Sequence, residues 1–278
     1  MAVAEHLLIG LGYAPTSTAR SLVRLTDTGA ADGSATVAEE VPIAFVYNGR
    51  PHVVVMGTPS DLEDLAVGFS RTEGIVDDVS QVEHITVVRA SHGIELQIQI
   101  PASTAARLED RVRGLVARTG CGLCGVATIN DALRMPVQVP HGLIVNAEAL
   151  WRAGTELAGQ QALNNETSTV HAAGWATSAG VLVVVREDVG RHNALDKVLG
   201  ALARNATPMR DGFIVVTSRA SYEMVQKTAV CGIEMLSAIS RPTGLAIRFA
   251  EAAGVTLVGL LRGRTANVYC GSERIHSS

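Results

Sequence analysis

Cys121 and Cys124 lie three positions apart in the stretch TGCGLCGVATI, residues 119–129, with Gly120, Gly122 and Gly125 around them. A thiol pair at this spacing can hold half of a zinc site, cycle between dithiol and disulfide, or carry sulfur as a persulfide. A structural zinc site needs two further ligands, usually a second cysteine pair or histidines at short spacing. The other two cysteines, Cys231 and Cys270, are single in sequence and have no close cysteine or histidine partner. A thioredoxin-like pair normally opens a helix, whose N-terminus lowers the thiol pKa. Here a helical segment ends just before the pair, and Gly122 and Gly125 disfavour another beginning inside it. The glycines give backbone freedom with little bulk, so a sulfur atom on another protein can approach either thiol. That suits a carrier whose thiolate meets a donor and then turns to an acceptor, with dithiol redox chemistry as the rival.

A second concentration of chemistry is EDVGRHNALDK, residues 187–197, at a strand-to-helix turn. Asp188 reads as a helix cap, and Asp196 and Lys197 as part of the helix's solvated side. Arg191 and His192, at the strand end, are not accounted for by such structural roles. The segment VHAAG around His171 has the look of the first half of a zinc-deaminase motif. The glutamate that motif requires is replaced by Ala173, and no Pro-Cys-x-x-Cys follows, which argues against hydrolytic deamination. Cys231, at the end of an apolar helical stretch, reads as a small buried hydrophobe.

The elements that must position these groups follow from periodicity. Residues 1–40 look irregular, rich in small and polar residues. Asn48-Gly49 between two β-rich runs predicts a hairpin, and VEHITVVRA is expected to pair with GIELQIQI. Ser60 and Glu63 form a capping-box pattern ahead of a short helix, and a second helix is expected over residues 103–119. From about residue 147 helices and strands alternate, which predicts a largely parallel or mixed sheet covered on both faces. In such sheets ligands sit where strands end and loops enter helices. Arg186, Arg191, Arg219, Arg241, Arg262 and Arg264 fall in or beside these loops, so an anion site on one rim is expected.

The chain has 278 residues, is 47% hydrophobic and carries a formal net charge of −4. It is long enough for one large or two ordinary domains. The longest apolar runs are strand-sized, well short of the ~20 residues of a membrane span. The acidic balance argues against broad capture of nucleic acid, while a small anionic ligand needs only a local basic cluster. No cleaved signal is expected at the N-terminus, so a cytoplasmic location is the default. With four cysteines there is no disulfide framework, and a close pair is read as chemical rather than structural.

Seven segments together resemble the FdhD family, sulfurtransferases required for active formate dehydrogenase. They are FSRTEGIV (69–76), GCGLCG (120–125), HAAGW (171–175), EDVGRHNALDKVLG (187–200), SRASYEMVQK (218–227), RPTGLAI (241–247) and GVTLVGLLRGRTANVY (254–269). The resemblance implies a cytidine-deaminase-like, three-layer α/β domain over 131–278. Ahead of it would come an N-terminal α+β region over 1–118 and a flexible cysteine loop over 119–130. It also implies a homodimer, a cysteine desulfurase as sulfur donor, and the formate dehydrogenase catalytic subunit as the final client. The acceptor would be a molybdenum (or tungsten) bis-pyranopterin guanine dinucleotide cofactor, bound as substrate, with no structural metal. Carried onto this chain, Cys121 would bear the persulfide and Cys124 would assist it. Leu260, Leu261, Arg262, Gly263, Arg264 and Thr265 would contact the cofactor, with His171, Arg191, His192 and Arg219 as further binding residues. The rivals are a dithiol oxidoreductase and a noncatalytic protein that only delivers the cofactor.

Overall fold

The computed structural model describes residues 15–90, 92–113 and 136–277. Its first element corrects the expectation of an irregular N-terminus. Strands β1 (Ser17–Thr26) and β2 (Gly29–Ala38) form a ten-pair antiparallel hairpin. Most of the hairpin is exposed on both faces. With no buried face to write a period of two into the sequence, its small and polar residues hide the strands.

A four-stranded sheet follows, with β3 (Val41–Tyr47), β4 (Arg50–Gly57), β5 (His84–Ala90) and β6 (Gly93–Gln99) in the order β4-β3-β6-β5. The central pair β3–β6 is parallel and the outer pairs are antiparallel. Asn48 and Gly49 close β3–β4 with φ of 49° and 79°, the positive values that a two-residue hairpin loop demands. Ile43, Phe45 and Tyr47 turn one face toward Leu62, Leu65 and Ala66 of helix α1 (Leu62–Thr72), with Leu108 of α2 (Ala102–Arg113) in the same core. The expected Ser60–Glu63 capping box does not form, since Asp61 precedes the helix with φ 51° and makes no side-chain cap. Arg186 supplies the reason. It reaches Asp61 at 3.1 Å and Asp64 at 2.8 Å, so a distant guanidinium organises this helix start. Arg186 is thereby withdrawn from the arginines expected on the ligand rim.

The C-terminal half is built on a six-stranded mixed sheet. Its strands are β8 (His171–Thr177), β9 (Leu182–Asp188), β10 (Gly212–Val216), β11 (Met235–Ala238), β12 (Thr256–Arg262) and β13 (Thr265–Cys270), ordered β13-β12-β11-β10-β8-β9. Only β10, β11 and β12 are mutually parallel. Helices α5 (Arg191–Arg204), α6 (Tyr222–Val230) and α7 (Gly244–Ala253) cover one face, where Ile214 and Val216 point. Helix α3 (Ala147–Gly159) covers the other, against Phe213 and Val215. Burial on both sides explains the unbroken apolar run of β10. Helix α4 (Ala162–Thr167) is capped by Glu187, which accepts from the backbone N–H groups of Leu163 and Asn164 at 2.8 Å each. Strand β7 (Val145–Asn146) pairs with β14 (Ile275–His276), beside a buried ion pair between Arg274 and Glu234 at 3.2 Å.

The two halves meet where α1 crosses α5. Asp64, Gly68 and Thr72 form a stripe at four-residue spacing, and so do Asp196, Gly200 and Arg204. The backbones approach so closely that a Cβ on Gly68 would lie 1.8 Å from the Asp196 carbonyl oxygen, and one on Gly200 1.9 Å from that of Asp64. Around this contact sit buried charges. Lys197, fully buried, forms an ion pair with Asp188 at 2.7 Å and donates to the Thr58 carbonyl at 3.1 Å. Lys227 meets Asp196 at 2.9 Å and Glu73 at 2.8 Å. Burial works against the charge on Lys227, and the two carboxylates outweigh it, so its pKa rises. The expectation that Asp196 and Lys197 face solvent is therefore corrected, at 1% and 0% exposure. Asp188 is not a conventional helix cap either. It accepts from the N–H groups of Gly190 at 2.7 Å and Thr58 at 3.0 Å, tying the end of β4 to the start of α5.

Two stability measurements check this junction. Gly68→Ala and Gly200→Ala should each lower the unfolding free energy in urea by about 1–3 kcal/mol through forced separation of the helices. Helix propensity alone would instead raise it by ~1 kcal/mol, so the sign decides. Lys197→Met should cost about 3–5 kcal/mol by leaving Asp188 buried and unpaired, and adding Asp188→Asn should recover part of the loss.

Candidate functional site

Strand directions determine which residues can share a rim. The parallel strands β10, β11 and β12 all end on one edge of the sheet. Because β8 is antiparallel to β10, its first residue, His171, lies on that edge, and His171 pairs in register with Asp188 at the end of β9. Backbone hydrogen bonds then stitch the loops together beyond the strands. Thr217 donates to Ala172, Ile239 to Val216, Thr243 to Ala220 and Leu260 to Ser240, at 2.9–3.1 Å. The rim is thus a continuous ledge rather than a row of independent loops.

At the β8–β10 end of the ledge, His171, Arg191, His192 and Arg219 come together. The imidazole of His171 is half-buried. Burial is the main force holding its pKa below the ordinary imidazole value, followed by the positive charges of Arg191 and Arg219 and by His192, while Asp188 pulls the other way. His192 Nε2 stands 2.6 Å from Glu223 Oε2. Among the described residues, Arg191 Nε and Ser221 Oγ are buried here without a hydrogen-bond partner, whereas His192 Nε2 has the Glu223 carboxylate beside it. Unpaired buried polar atoms are costly, and two of them fall in this one cluster.

The hairpin of Leu260, Leu261, Arg262, Gly263, Arg264 and Thr265 occupies a separate station. From β8 to β12 is three interstrand steps of ~4.8 Å, roughly 15 Å along the ledge. Leu260 has φ 53° beside a bulge in the β12–β13 pairing, a conformation costing a non-glycine residue about 1–3 kcal/mol and typical of functional loops. Gly263, at φ 56°, allows the tight turn. Arg262 is exposed, with Nε donating to the Ile239 carbonyl at 3.2 Å. Arg264 bonds Glu148 at 3.0 Å and stacks over Trp151 at 4.5 Å, both on α3. Thr265 Oγ1 donates to the Arg262 carbonyl at 3.0 Å. Leu261 is 2% exposed and packs on α3 beside Gly154, so its side chain supports the hairpin from below.

Cys121 and Cys124 lie outside the described residues. Of the remaining cysteines, Cys231 is half-buried at the end of α6, and burial pushes its thiol up to about 12. Cys270 donates to the Val255 carbonyl at 3.3 Å, and burial raises its pKa too. Both are therefore poor nucleophiles near neutral pH. Residue-by-residue reading missed Ser221 and Glu223. Serine one position before a helix looks like an ordinary cap, and only the structure reveals that its hydroxyl does not cap α6.

With the ledge described, comparison with known proteins gives it a context. The model of the FdhD/NarQ family matches residues 38–276. A protein named sulfur carrier protein FdhD from Bordetella petrii is 48% identical over 247 residues, covering 89% of this chain and 89% of that relative. Another of the same name from Xanthomonas axonopodis pv. citri is 50% identical over 239 residues, 86% and 85% of the two chains. A crystal structure from Desulfotalea psychrophila, assigned as a formate dehydrogenase accessory protein, superposes with a TM-score of 0.73 at 25% identity, covering 94% of this chain and all of that one. The family match spans the four-stranded and six-stranded sheets, the α1–α5 junction and the whole ledge, and the chain belongs to the FdhD/NarQ family.

Proposed function

We propose that this protein is a sulfurtransferase serving formate dehydrogenase. It accepts sulfur from a cysteine desulfurase as a persulfide on the Cys121/Cys124 loop. It then passes that sulfur to the molybdenum or tungsten bis-pyranopterin guanine dinucleotide cofactor, held on the ledge as substrate, before the cofactor enters the dehydrogenase catalytic subunit. The observation that carries this reading is the near-full-length similarity to proteins named sulfur carrier protein FdhD. The two-station ledge supports it as well. A ligand touching both the histidine–arginine cluster and the Leu260–Thr265 hairpin has to be extended and anionic, which describes a phosphate-bearing dinucleotide.

In the loading step, the thiolate of Cys121 attacks the outer sulfur of the donor persulfide. The donor leaves as thiolate and Cys121 retains the sulfur. Cys124 relays that sulfur or resolves the spent site. On the ledge, Arg191 and Arg219 offer the planar, permanently charged donors suited to phosphate oxygens, and Arg262 does so at the hairpin. Two copies of the chain acting as a homodimer in the cytoplasm complete the reading. Among the described residues no helix is long and apolar enough to cross a membrane.

Intact-protein mass spectrometry after incubation with a cysteine desulfurase and L-cysteine tests the loading step. Wild type should gain ~32 Da per sulfur, the mass of one added sulfur atom on the persulfide ladder, and Cys121→Ala should abolish the gain. Loss from both single variants would indicate a shared dithiol. No gain in any sample would remove the transferase reading and leave cofactor delivery alone.

A further inference from the structure

Helix α3 meets the Leu260–Thr265 hairpin along one line. Glu148, Trp151 and Gly154 recur at three-residue spacing, which sets them on a single stripe of the helix. Each of them touches the hairpin. Both terminal nitrogens of Arg264 donate to the Glu148 carboxylate, Nη1 to Oε2 at 3.0 Å and Nη2 to Oε1, while the guanidinium lies 4.5 Å over the Trp151 ring. Gly154 leaves room for Leu261, since a Cβ there would stand 3.1 Å from the leucine side chain. The helix end that offers the carboxylate is itself fixed, with Asn146 Oδ1 accepting from the Glu148 N–H at 2.9 Å. On its other side the hairpin is tied to the loop after β11. Arg262 Nε donates to the Ile239 carbonyl at 3.2 Å and Leu260 N to the Ser240 carbonyl at 3.1 Å. Leu260 keeps its φ of 53° among these tethers, and a non-glycine residue stays in that conformation only where its surroundings hold it there.

We infer that Arg264 is a positioning residue rather than a ligand donor: with Glu148 and Trp151 it forms a latch that holds the hairpin against α3. For its ligand the inference rests on the reading of the ledge as a nucleotide-cofactor site. The rim expected from sequence counts Arg264 among its anion-binding arginines. Here its planar fork is already matched by a carboxylate and its face by an indole, two pairings for which a guanidinium is suited and an ammonium is not. The ligand role at the hairpin then falls to Arg262. Arg264 and Glu148 are both well exposed, and an exposed ion pair adds little to global stability, so the latch acts locally. It orders the hairpin before a ligand arrives and so removes part of the ordering cost from binding. This gives Glu148 an effect opposite to that of its charge. A carboxylate beside an anion site should weaken anion binding by Coulomb repulsion, whereas the latch makes the same carboxylate a support for it.

Two measurements on the full chain test this. In hydrogen exchange followed by mass spectrometry, without ligand, residues 260–265 should exchange faster in Glu148→Gln and in Arg264→Gln than in wild type. Unchanged exchange in the buried strand β10 shows that each variant is folded. The reversed pair, Glu148→Arg with Arg264→Glu, should recover part of the protection, since it restores the ion pair without the stacked guanidinium. In calorimetric titration with guanosine diphosphate, a fragment of the proposed cofactor, Glu148→Gln should weaken binding about two- to tenfold, the ordering cost of one or two side chains. Hairpin exchange unmoved by both single variants, or tighter nucleotide binding by Glu148→Gln than by wild type, would overturn the inference. The exchange readout needs no ligand. If the hairpin responds as expected in a protein that does not bind guanosine diphosphate, the latch stands and the failure falls on the cofactor-site reading.

Discussion

The structure depends on one close approach, the crossing of α1 and α5 at Gly68 and Gly200. A side chain at either position would collide with the opposite backbone, so the two helices touch main chain to main chain. That proximity brings Asp64 to Arg186 and Arg204, and Thr72 to the Asp196–Lys227 pair. Charges buried this deeply contribute little net stability over apolar packing, and they heavily penalise any arrangement that separates them. The junction therefore specifies one relative placement of the two sheets.

That placement explains the dense charge of residues 187–197. Asp188, Asn193, Asp196 and Lys197 face inward and bind the N-terminal half, with Asn193 donating to the Met56 carbonyl at 2.8 Å. Arg191 and His192, at the first turn of the same helix, reach the ledge. One segment thus locks the two halves together and presents cationic groups beside His171. A change at the junction would move both, which connects fold stability to the geometry of the rim through Asp188, the register partner of His171.

Much of this was legible in the sequence where a buried face imposes a period. The Asn48-Gly49 hairpin, the β5–β6 pair and the alternation after residue 147 were readable because turn chemistry and burial write regular patterns. The exposed β1–β2 hairpin wrote none. The capping box at Ser60 failed because Arg186, more than a hundred positions away, outweighs a local signal. Lys197 looked solvated because isolated charges usually are, and its burial depends on Asp188 and Thr58, which no window around it contains. The stripes Asp64-Gly68-Thr72 and Asp196-Gly200-Arg204 went unread in the sequence, because only their mutual contact gives them meaning. Arg191 and Arg219 were recognisable as strand-end residues and His171 only through the VHAAG segment, since the strand it opens was not read, whereas the unpaired hydroxyl of Ser221 required coordinates.

The central functional claim is that sulfur held by the cysteine loop leaves on a cofactor bound at the ledge. The most direct measurement loads the protein with radiolabelled sulfur, removes the donor, adds the bis-pyranopterin guanine dinucleotide cofactor and follows the label. Its movement from protein to cofactor, lost in Arg219→Gln despite normal loading, is the predicted result. Label that stays on the protein in the presence of bound cofactor would contradict the account.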